Sequence, residues 1–399
     1  MRWLVALILP LAVCLWGAEP KWKHLSSTRG ELPVPAGSNQ QTGVLVADLD
    51  GNGSQDFIIS FRVKGPALAW FRRVGDAWQQ QVIEPEFLTL EAGGAAHDID
   101  GDGDLDIVFG ADARNQQLWW WENPAPRFEP GVAWRRRVIK DSGAKQHHDQ
   151  AFADFLGTGK AQLVFWNQRA KALFLAEVPP DVKNVARWPM EMIFNGQAGE
   201  GVAGAALYAE GIDAFDVDGD GRQDLLAGNY WFKMEEGRFR PVKIGEYGGR
   251  IRAGRFQKGK LAQVVIAPGD GSGPLLLYTC QGDPKDSSCW KPRDLLGESM
   301  THGHTLDLGD LDGDGKLDIF AAEMAKWTNG PAVDHPEAKS WILYGDGKGG
   351  FRKTVFTTGH GWHEGRFADV DGDGDLDVLG KPYTWTAPRV DVWLNLRKK

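Results

Sequence analysis

A nine-residue loop of alternating carboxylates and glycines recurs along this chain and constrains its fold more than any other feature. Its clearest copy runs from Asp369 to Asp377 with the sequence DVDGDGDLD. Oxygen-bearing side chains at positions 1, 3, 5 and 9 suit a hard cation with six to eight oxygen ligands, and the glycines let the backbone curl around it. No glutamate follows at position 12, as it does in helical calcium loops, and the flanking runs are apolar and β-branched. The spacing therefore predicts a calcium-binding loop between two strands.

Five copies of the loop carry a complete set of oxygen ligands. Their ligand positions are Asp48, Asp50, Asn52 and Asp56; Asp98, Asp100, Asp102 and Asp106; Asp216, Asp218, Asp220 and Asp224; Asp310, Asp312, Asp314 and Asp318; and Asp369, Asp371, Asp373 and Asp377. Two further copies, at 154–162 and 254–263, have lost carboxylates, and we expect neither to hold an ion. In the second, we expect the charge of Lys258 or Lys260 to take the place of the ion. The sequence thus predicts about five calcium ions.

A second repeat consists of an aromatic residue, polar residues and then an apolar pair, typical of a strand at the outer edge of a repeating unit. Six copies begin at Trp78, Trp134, Trp188, Phe239, Trp290 and Phe351. A seventh, Trp22 to Leu25, precedes the first calcium loop, whereas the last unit ends without its outer strand. The N-terminal copy would complete that unit and close a ring without free sheet edges.

Copy number and period together predict an all-β fold. Each unit supplies four short strands, and the units follow one another at a spacing far longer than that of a parallel β-helix, the competing architecture for Asp/Gly-rich repeats. We therefore expect residues 19–399 to form one domain, a seven-bladed β-propeller of four-stranded blades. The N-terminal strand is expected to join the last blade.

The acidic loops that begin at Asp48, Asp98, Asp216, Asp310 and Asp369 resemble those of the FG-GAP or VCBS repeat family, which includes the integrin α-subunit propeller. The resemblance extends over the whole chain after residue 18. It implies the propeller fold and calcium binding. It does not imply one activity, because the family includes adhesion modules and sugar-acting enzymes.

The N-terminus has the features of an export signal. Residues 1–18 begin with Arg2, continue as an apolar run and end in small residues, and the run is too short to span a membrane. An alternative is a lipid anchor at Cys14, within a lipoprotein-like sequence. We expect an exported protein, periplasmic or extracellular, without a transmembrane segment. In an oxidising compartment, Cys280 and Cys289 are expected to form a hairpin disulfide.

The charge of the chain argues against one class of partner. The formal net charge is -9, and much of the excess lies in the acidic loops. Nucleic-acid-binding domains carry basic patches instead. We therefore expect no nucleic-acid partner.

Candidate chemistry lies at the opposite end of the innermost strands. The residues six positions before each loop should ring one mouth of the central channel; they are Thr42, Ala92, His148, Glu210, Gly248, His304 and His363. Imidazole and carboxylate groups that converge from separate blades suit a transition metal such as Zn²⁺ or Mn²⁺, or acid–base catalysis. The expected ligands of such a metal are among His148, Glu210, His304 and His363. The alternative is that these side chains only bind strand ends and channel water.

We assign expected roles on this face to several further residues. His147, His360 or Tyr383 would act as a base, and Lys381 or Arg114 would hold a developing anion. Aromatic side chains suited to stacking on a sugar ring are Trp327, Trp362, Tyr383 and Trp385. The preferred hypothesis is a metal-assisted sugar lyase or dehydratase, and the layout resembles the propellers of aldos-2-ulose dehydratase and polysaccharide lyases. The alternative is a non-catalytic module that binds a glycan or a protein.

Overall fold

The computed structural model of the chain describes residues 19–196, 209–324, 337–384 and 386–397. The predicted export signal and Cys14, as well as Trp327 and Trp385, lie outside the described residues. Within them, seven four-stranded antiparallel sheets form a β-propeller, as the sequence predicts. No helix in these ranges is long and apolar enough to cross a membrane.

Each sheet is one blade, and consecutive strands of a blade are neighbours in the chain. The strands of blades 1 to 4 are β2 (Gln41–Ala47), β3 (Asp56–Phe61), β4 (Leu68–Val74) and β5 (Ala77–Glu84); β6 (Ala95–His97), β7 (Asp106–Gly110), β8 (Leu118–Glu122) and β9 (Arg135–Lys140); β10 (His147–Ala153), β11 (Gln162–Asn167), β12 (Ala172–Glu177) and β13 (Met190–Asn195); and β14 (Ile212–Phe215), β15 (Asp224–Ala227), β16 (Tyr230–Glu235) and β17 (Arg238–Lys243).

The last three blades contain the two departures from this order. Their strands are β18 (Arg250–Gly254), β19 (Gln263–Ala267), β21 (Leu276–Cys280) and β22 (Trp290–Asp294); β24 (Thr305–Gly309), β25 (Asp318–Ala322), β26 (Lys339–Gly345) and β27 (Phe351–Thr358); and β28 (Arg366–Ala368), β29 (Asp377–Gly380), β30 (Asp391–Asn395) and β1 (Trp22–Ser26). Two 3-10 helices in the described ranges span Ser27–Arg29 and Ser287–Cys289.

The first departure closes the ring. Strand β1 is the outer strand of blade 7 and pairs antiparallel with β30, from Trp22 opposite Asn395 to Ser26 opposite Asp391. The first strands of neighbouring blades contact one another around the axis in the closed order β2, β6, β10, β14, β18, β24, β28 and back to β2. The predicted closure by the N-terminal strand is therefore confirmed.

The second departure is a two-stranded ribbon beside blade 5. Strand β20 (Gly269–Gly273) pairs with β23 (Met300–Gly303) and not with the rest of its blade. The ribbon lies between β19 and β24 in the connectivity and, as described below, carries part of the channel face. Farther out in the same blade, Cys280 and Cys289 form the predicted disulfide.

The core lies between blades, because each sheet buries both faces against its neighbours. Trp70 of blade 1 packs edge-on against Trp134 of blade 2, with ring centroids 5.8 Å apart. Near blade 7, Trp362 and Trp393 stack with ring centroids 4.7 Å apart. Of the repeated outer-strand aromatics, Trp134, Trp188 and Trp290 are buried and therefore serve packing.

Candidate functional site

The ends of the inner strands enclose a polar cavity of about 430 Å³ on the face opposite the acidic loops. The residues that line it come from several blades and from the ribbon: Arg62, Glu91, Gln146, His148, Gln168, Glu210, Asp270, His302, His304, His363 and Tyr383. Four of the residues that the strand offsets select, His148, Glu210, His304 and His363, therefore share one cavity. Thr42, Ala92 and Gly248 do not line it.

His304 is the central side chain of this cavity. Its Nδ1 lies 3.4 Å from Oε2 of Glu210, and its Nε2 lies 3.0 Å from Oδ1 of Asp270. Its ring stacks on that of His363 with centroids 5.0 Å apart. An imidazole held between two carboxylates is oriented at both nitrogens, and the carboxylate on one nitrogen fixes the tautomer at the other.

Asp270, His302 and His304 together have the geometry of a metal-ligand set. One potential ligand atom from each of the three lies within 4.8 Å of the others. The ribbon brings them together, since Asp270 lies on β20 and His302 on β23, where Gly269 pairs with Gly303. Two imidazoles and one carboxylate suit Fe²⁺, Mn²⁺ or Zn²⁺. The buried Nδ1 atom of His302 makes no hydrogen bond with any described residue. This nitrogen is therefore available to a ligand.

Arg250 closes the floor of the cavity. Its guanidinium donates to Asp149 and, at 2.8 Å, to Glu364, and its Nε lies 3.7 Å from Glu210. Asp149 in turn accepts from Nδ1 of His148 at 2.7 Å. Burial lowers the pKa of His148, but the carboxylates of Asp149 and Glu210 outweigh burial and raise that pKa to about 9. His148 is therefore an imidazolium at neutral pH, and the cavity contains a fixed positive charge.

Strained backbone is concentrated at the same place. Gln146, Asp149, His302 and Glu364 adopt positive φ angles of 67°, 44°, 51° and 59°. Left-handed conformations at non-glycine residues cost of order 1–3 kcal/mol each, and such strain clusters at functional sites. In this structure, these backbone conformations direct the side chains of Asp149 and Glu364 toward Arg250 and that of His302 toward Asp270.

Arg62 and Tyr383 form another wall. Nη1 of Arg62 donates to the Tyr383 hydroxyl at 2.7 Å, while the remaining guanidinium nitrogens face Glu91 and, at 3.3 Å, Asp112. Burial raises the pKa of Tyr383, so its phenol is protonated at neutral pH. Its ring packs against that of His363, with centroids 5.0 Å apart, and its hydroxyl donates to Oε1 of Gln40 at 3.4 Å. This wall presents a proton donor and a cation to the cavity.

The structure places five other expected site residues away from the cavity. His147 is fully buried beside Phe165, and burial lowers its pKa to about 3. His360 packs against His24 and Trp393.

Lys381 is buried behind His363, and its Nζ donates to the carbonyl oxygens of Gln41, Thr42 and His363. Burial lowers its pKa to about 7. Arg114 is exposed on a loop, and Trp362 lies in the core, 1% exposed. The base and anion-holding roles expected of His147, His360, Lys381 and Arg114, and the sugar-stacking role expected of Trp362, are therefore corrected. Those side chains serve packing or backbone hydrogen bonding, or face solvent.

Sequence reasoning missed the residues that the ribbon and the floor contribute. Asp270 lies in the sequence GDGSG, which is typical of a turn, and no local spacing links it to His302. Arg250 follows the glycine at the expected ring position, Gly248, by two residues. The absence of a side chain at that ring position was the available signal, because it makes room for a long side chain from the same strand.

The five acidic loops lie at the other ends of the inner strands and share one hydrogen-bonding pattern. In the last loop, the amides of Asp373 and Gly374 donate to the two oxygens of Asp369 at 3.1 and 2.9 Å. In all five, the carboxylate at position 9 accepts from the amide at position 2. Burial raises the pKa of that position-9 carboxyl to about 7 at Asp56, Asp106 and Asp318, about 6 at Asp224 and about 8 at Asp377.

Most of these loops fit a calcium ion. One buried carboxylate oxygen on each of three loop residues receives no hydrogen bond from any described residue: Oδ1 of Asp50, Oδ1 of Asp100 and Oδ2 of Asp312. Each belongs to a set of three aspartates whose oxygens lie within 4.8 Å of one another. Unpartnered, converging carboxylate oxygens are unfavourable unless a cation neutralises them.

Comparisons with known proteins agree with the fold. The FG-GAP-like repeat family model matches residues 310–380, which include the acidic loops of blades 6 and 7. No curated protein sequence matches the chain at a significant level.

Several solved structures are similar at low identity. The structure of BBS1N in complex with ARL6DN has a TM-score of 0.55 at 11% identity and covers 95% of this chain and 98% of its own. YCF48 from Cyanidioschyzon merolae has a TM-score of 0.50 at 12% identity, covering 95% and 99%. The rhamnogalacturonan lyase PL11 of Bacillus licheniformis has a TM-score of 0.48 at 12% identity, covering 89% and 72%. The strand order and the family-model match identify the chain as a seven-bladed β-propeller that carries an FG-GAP-like repeat at residues 310–380.

Proposed function

We propose that this protein is an exported, calcium-stabilised enzyme that cleaves or dehydrates an acidic sugar with the help of a divalent transition metal at the channel mouth. The observation that carries the proposal is the convergence of Asp270, His302 and His304 in a polar cavity that also holds an acid, a carboxylate and fixed positive charge. The disulfide between Cys280 and Cys289 supports export, because disulfides persist in oxidising compartments.

Asp270, His302 and His304 would hold the metal. Glu210 would orient His304 through Nδ1, an arrangement of carboxylate, imidazole and metal that is frequent in metalloproteins. This assignment differs from the expected set of His148, Glu210, His304 and His363, because Nδ1 of His148 is 2.7 Å from Asp149 and Nδ1 of His363 is 3.3 Å from Nζ of Lys381. A bound divalent ion would polarise a substrate carboxylate or carbonyl and acidify the adjacent C–H bond.

The chain's own groups would then carry out an elimination. The Glu210 carboxylate would accept the proton from that carbon, and the C–H electron pair would become the new carbon–carbon double bond. The C–O bond to the leaving group would break, and the leaving oxygen would keep the electron pair of that C–O bond. It would then receive a proton from the Tyr383 hydroxyl. General acid–base groups of this kind contribute about 10²- to 10⁴-fold to the rate.

Metal preference and cavity size define the substrate class. A divalent metal on Asp270, His302 and His304 would attract a carboxylate or carbonyl oxygen, and Gln146 and Gln168 supply amide groups for hydroxyls. A cavity of about 430 Å³ falls in the range that holds a small ligand. These features favour one sugar ring with a carboxylate over an apolar ligand.

The proposal is tested by metal analysis and product formation together. Protein prepared with calcium is analysed for manganese, iron, cobalt, nickel and zinc, then incubated with acidic polysaccharides and keto-sugars while unsaturated products are followed by ultraviolet absorbance. We expect about one transition metal per chain, and loss of both metal and product in His304→Ala. His360→Ala, which removes an imidazole outside the cavity, is the matched control.

Two results would contradict the proposal. The first is a wild-type chain that binds no transition metal, and the second is a His304→Ala variant that keeps its product formation. Binding of a glycan without turnover, unaffected by metal removal, would instead identify a non-catalytic binding module.

A further inference from the structure

The acidic loop of blade 4, Asp216 to Asp224, differs from the other four in containing an ammonium group. Nζ of Lys233 lies 2.9 Å from Oδ2 of Asp218, 2.7 Å from Oδ2 of Asp220 and 3.2 Å from Oδ1 of Asp224. These three side chains are among the expected calcium ligands of this loop. Lys233 belongs to strand β16 and is 4% exposed, so its charge is held inside the protein.

The loop itself is folded like the others. The amides of Asp220 and Gly221 donate to the two oxygens of Asp216 at 3.0 and 3.1 Å, and Val217 donates to Asp224 at 3.1 Å. The loop is therefore closed around Lys233 in the conformation that its neighbours adopt. A distorted loop does not explain the lysine contact.

The hydrogen-bond inventory separates this loop from three others. Oδ1 of Asp50, Oδ1 of Asp100 and Oδ2 of Asp312 are buried without a hydrogen-bond donor among the described residues, whereas the loop of blade 4 contributes no such oxygen within that part of the chain. Its carboxylates are already satisfied.

Basic residues also reach other acidic loops, but with fewer contacts. Arg72, which occupies the position of Lys233 in blade 1, lies 3.4 Å from Asp50, and Lys183, which is 40% exposed, lies 2.6 Å from Asp100. In blades 6 and 7 the corresponding residues are Tyr344 and Leu394, which carry no positive charge. Lys233 differs from Arg72 and Lys183 because it contacts three carboxylates of one loop at once.

We infer that the loop of blade 4 binds no calcium and that Lys233 takes the place of the ion, so that the propeller binds four calcium ions and carries a fifth, built-in cation. Calcium requires oxygen ligands at 2.3–2.6 Å, and the ammonium is within hydrogen-bond distance of three of the oxygens that would supply them. Two cations cannot share these carboxylates without strong repulsion. The same kind of replacement is expected of Lys258 or Lys260 in the eroded loop at 254–263, and Lys233 extends it to a loop with a complete set of carboxylates.

Calcium stoichiometry tests this inference. Equilibrium dialysis or native mass spectrometry should find four calcium ions per chain in the parent and five in Lys233→Met, which frees the carboxylates. Arg222→Met is the matched control, because Arg222 also contacts Asp220, at 2.8 Å, but is 54% exposed on the rim. That control should keep four. Five ions in the parent, or four in a folded Lys233→Met variant, would overturn the inference.

Hydrogen exchange on the parent chain gives an answer that does not depend on whether the variant folds. Addition of calcium should slow exchange of the amides in 310–318 and 369–377 and leave those in 216–224 unchanged. Calcium-dependent slowing in 216–224 equal to that of the other loops would also overturn the inference. Neither readout involves the channel face, so failure here leaves the proposed function intact, and the reverse is equally true.

Discussion

Nδ1 of His304 and Oε2 of Glu210 face each other at 3.4 Å across the channel mouth, although blades 4 and 6 supply them from positions almost a hundred residues apart. The other nitrogen of the same ring faces Asp270. One imidazole therefore connects the proposed proton acceptor to the proposed metal ligands.

Substitution Glu210→Gln should separate the two roles of this carboxylate. Loss of an orienting carboxylate weakens metal binding by about 10- to 100-fold, whereas loss of a general base lowers the rate by about 10²- to 10⁴-fold even when metal is saturating. Metal titration followed by rate measurement at saturating Mn²⁺ checks this. If the variant loses metal affinity and reaction rate together, and excess metal restores the rate fully, Glu210 only orients His304.

Substitution Arg250→Met should destabilise the propeller strongly. It leaves Asp149 and Glu364 buried without their shared counter-ion, and breaking a buried ion pair from one side costs about 3–5 kcal/mol. Urea denaturation measures the free energy of unfolding. Arg222→Met, which removes an exposed guanidinium, serves as the control and should change that free energy by less than about 1 kcal/mol. If Arg250→Met lowers the free energy of unfolding by a similarly small amount, the floor of the cavity tolerates both carboxylates without the guanidinium.

Calcium removal should lower the melting temperature, because the carboxylates of four loops then face each other without a counter-ion. Differential scanning calorimetry in excess chelator should show the decrease, and readdition of calcium should reverse it. Magnesium should restore less, since it is smaller and demands octahedral geometry. An unchanged melting curve in chelator would contradict calcium binding by these loops.

The buried His147 should make the parent chain sensitive to acid. Its pKa is lowered to about 3, so the folded state excludes a proton that the unfolded chain binds below about pH 6.5. This contribution to stability is complete above pH 6.5 and is lost as the pH falls from there toward 3, at up to about 1.4 kcal/mol per pH unit. The difference in unfolding free energy between parent and His147→Gln should be constant above pH 7 and shrink below 6.5. A constant difference down to pH 4.5 would refute the neutral, buried imidazole.

The fold could be predicted because its determinants are local and repeated. The loop from Asp369 to Asp377 and the outer-strand copy beginning at Trp22 each specify their own unit, and their number and order determine the ring. Counting six residues back from each acidic loop predicted the channel face only for side chains on regular inner strands. Blade geometry alone therefore brought His148, Glu210, His304 and His363 together.

The remainder of the site depends on contacts that no spacing encodes. Asp270 reaches His304 only because a glycine-rich segment pairs as β20 with β23. Lys233 enters an acidic loop from a third strand, which a motif written over nine consecutive residues does not include. Lys381 resembled a substrate-binding cation in sequence, yet three backbone carbonyl oxygens accept from its Nζ.

The pairing of β1 with β30 places both ends of the described domain in one sheet, with Trp22 opposite Asn395. A short peptide linker could therefore join the two ends, and the chain could be reopened at a surface turn between blades without removing any strand. Circular permutants opened there should still bind metal. A fragment that lacks β1 would instead leave the last blade with an exposed edge, ready to recruit the missing strand from another molecule.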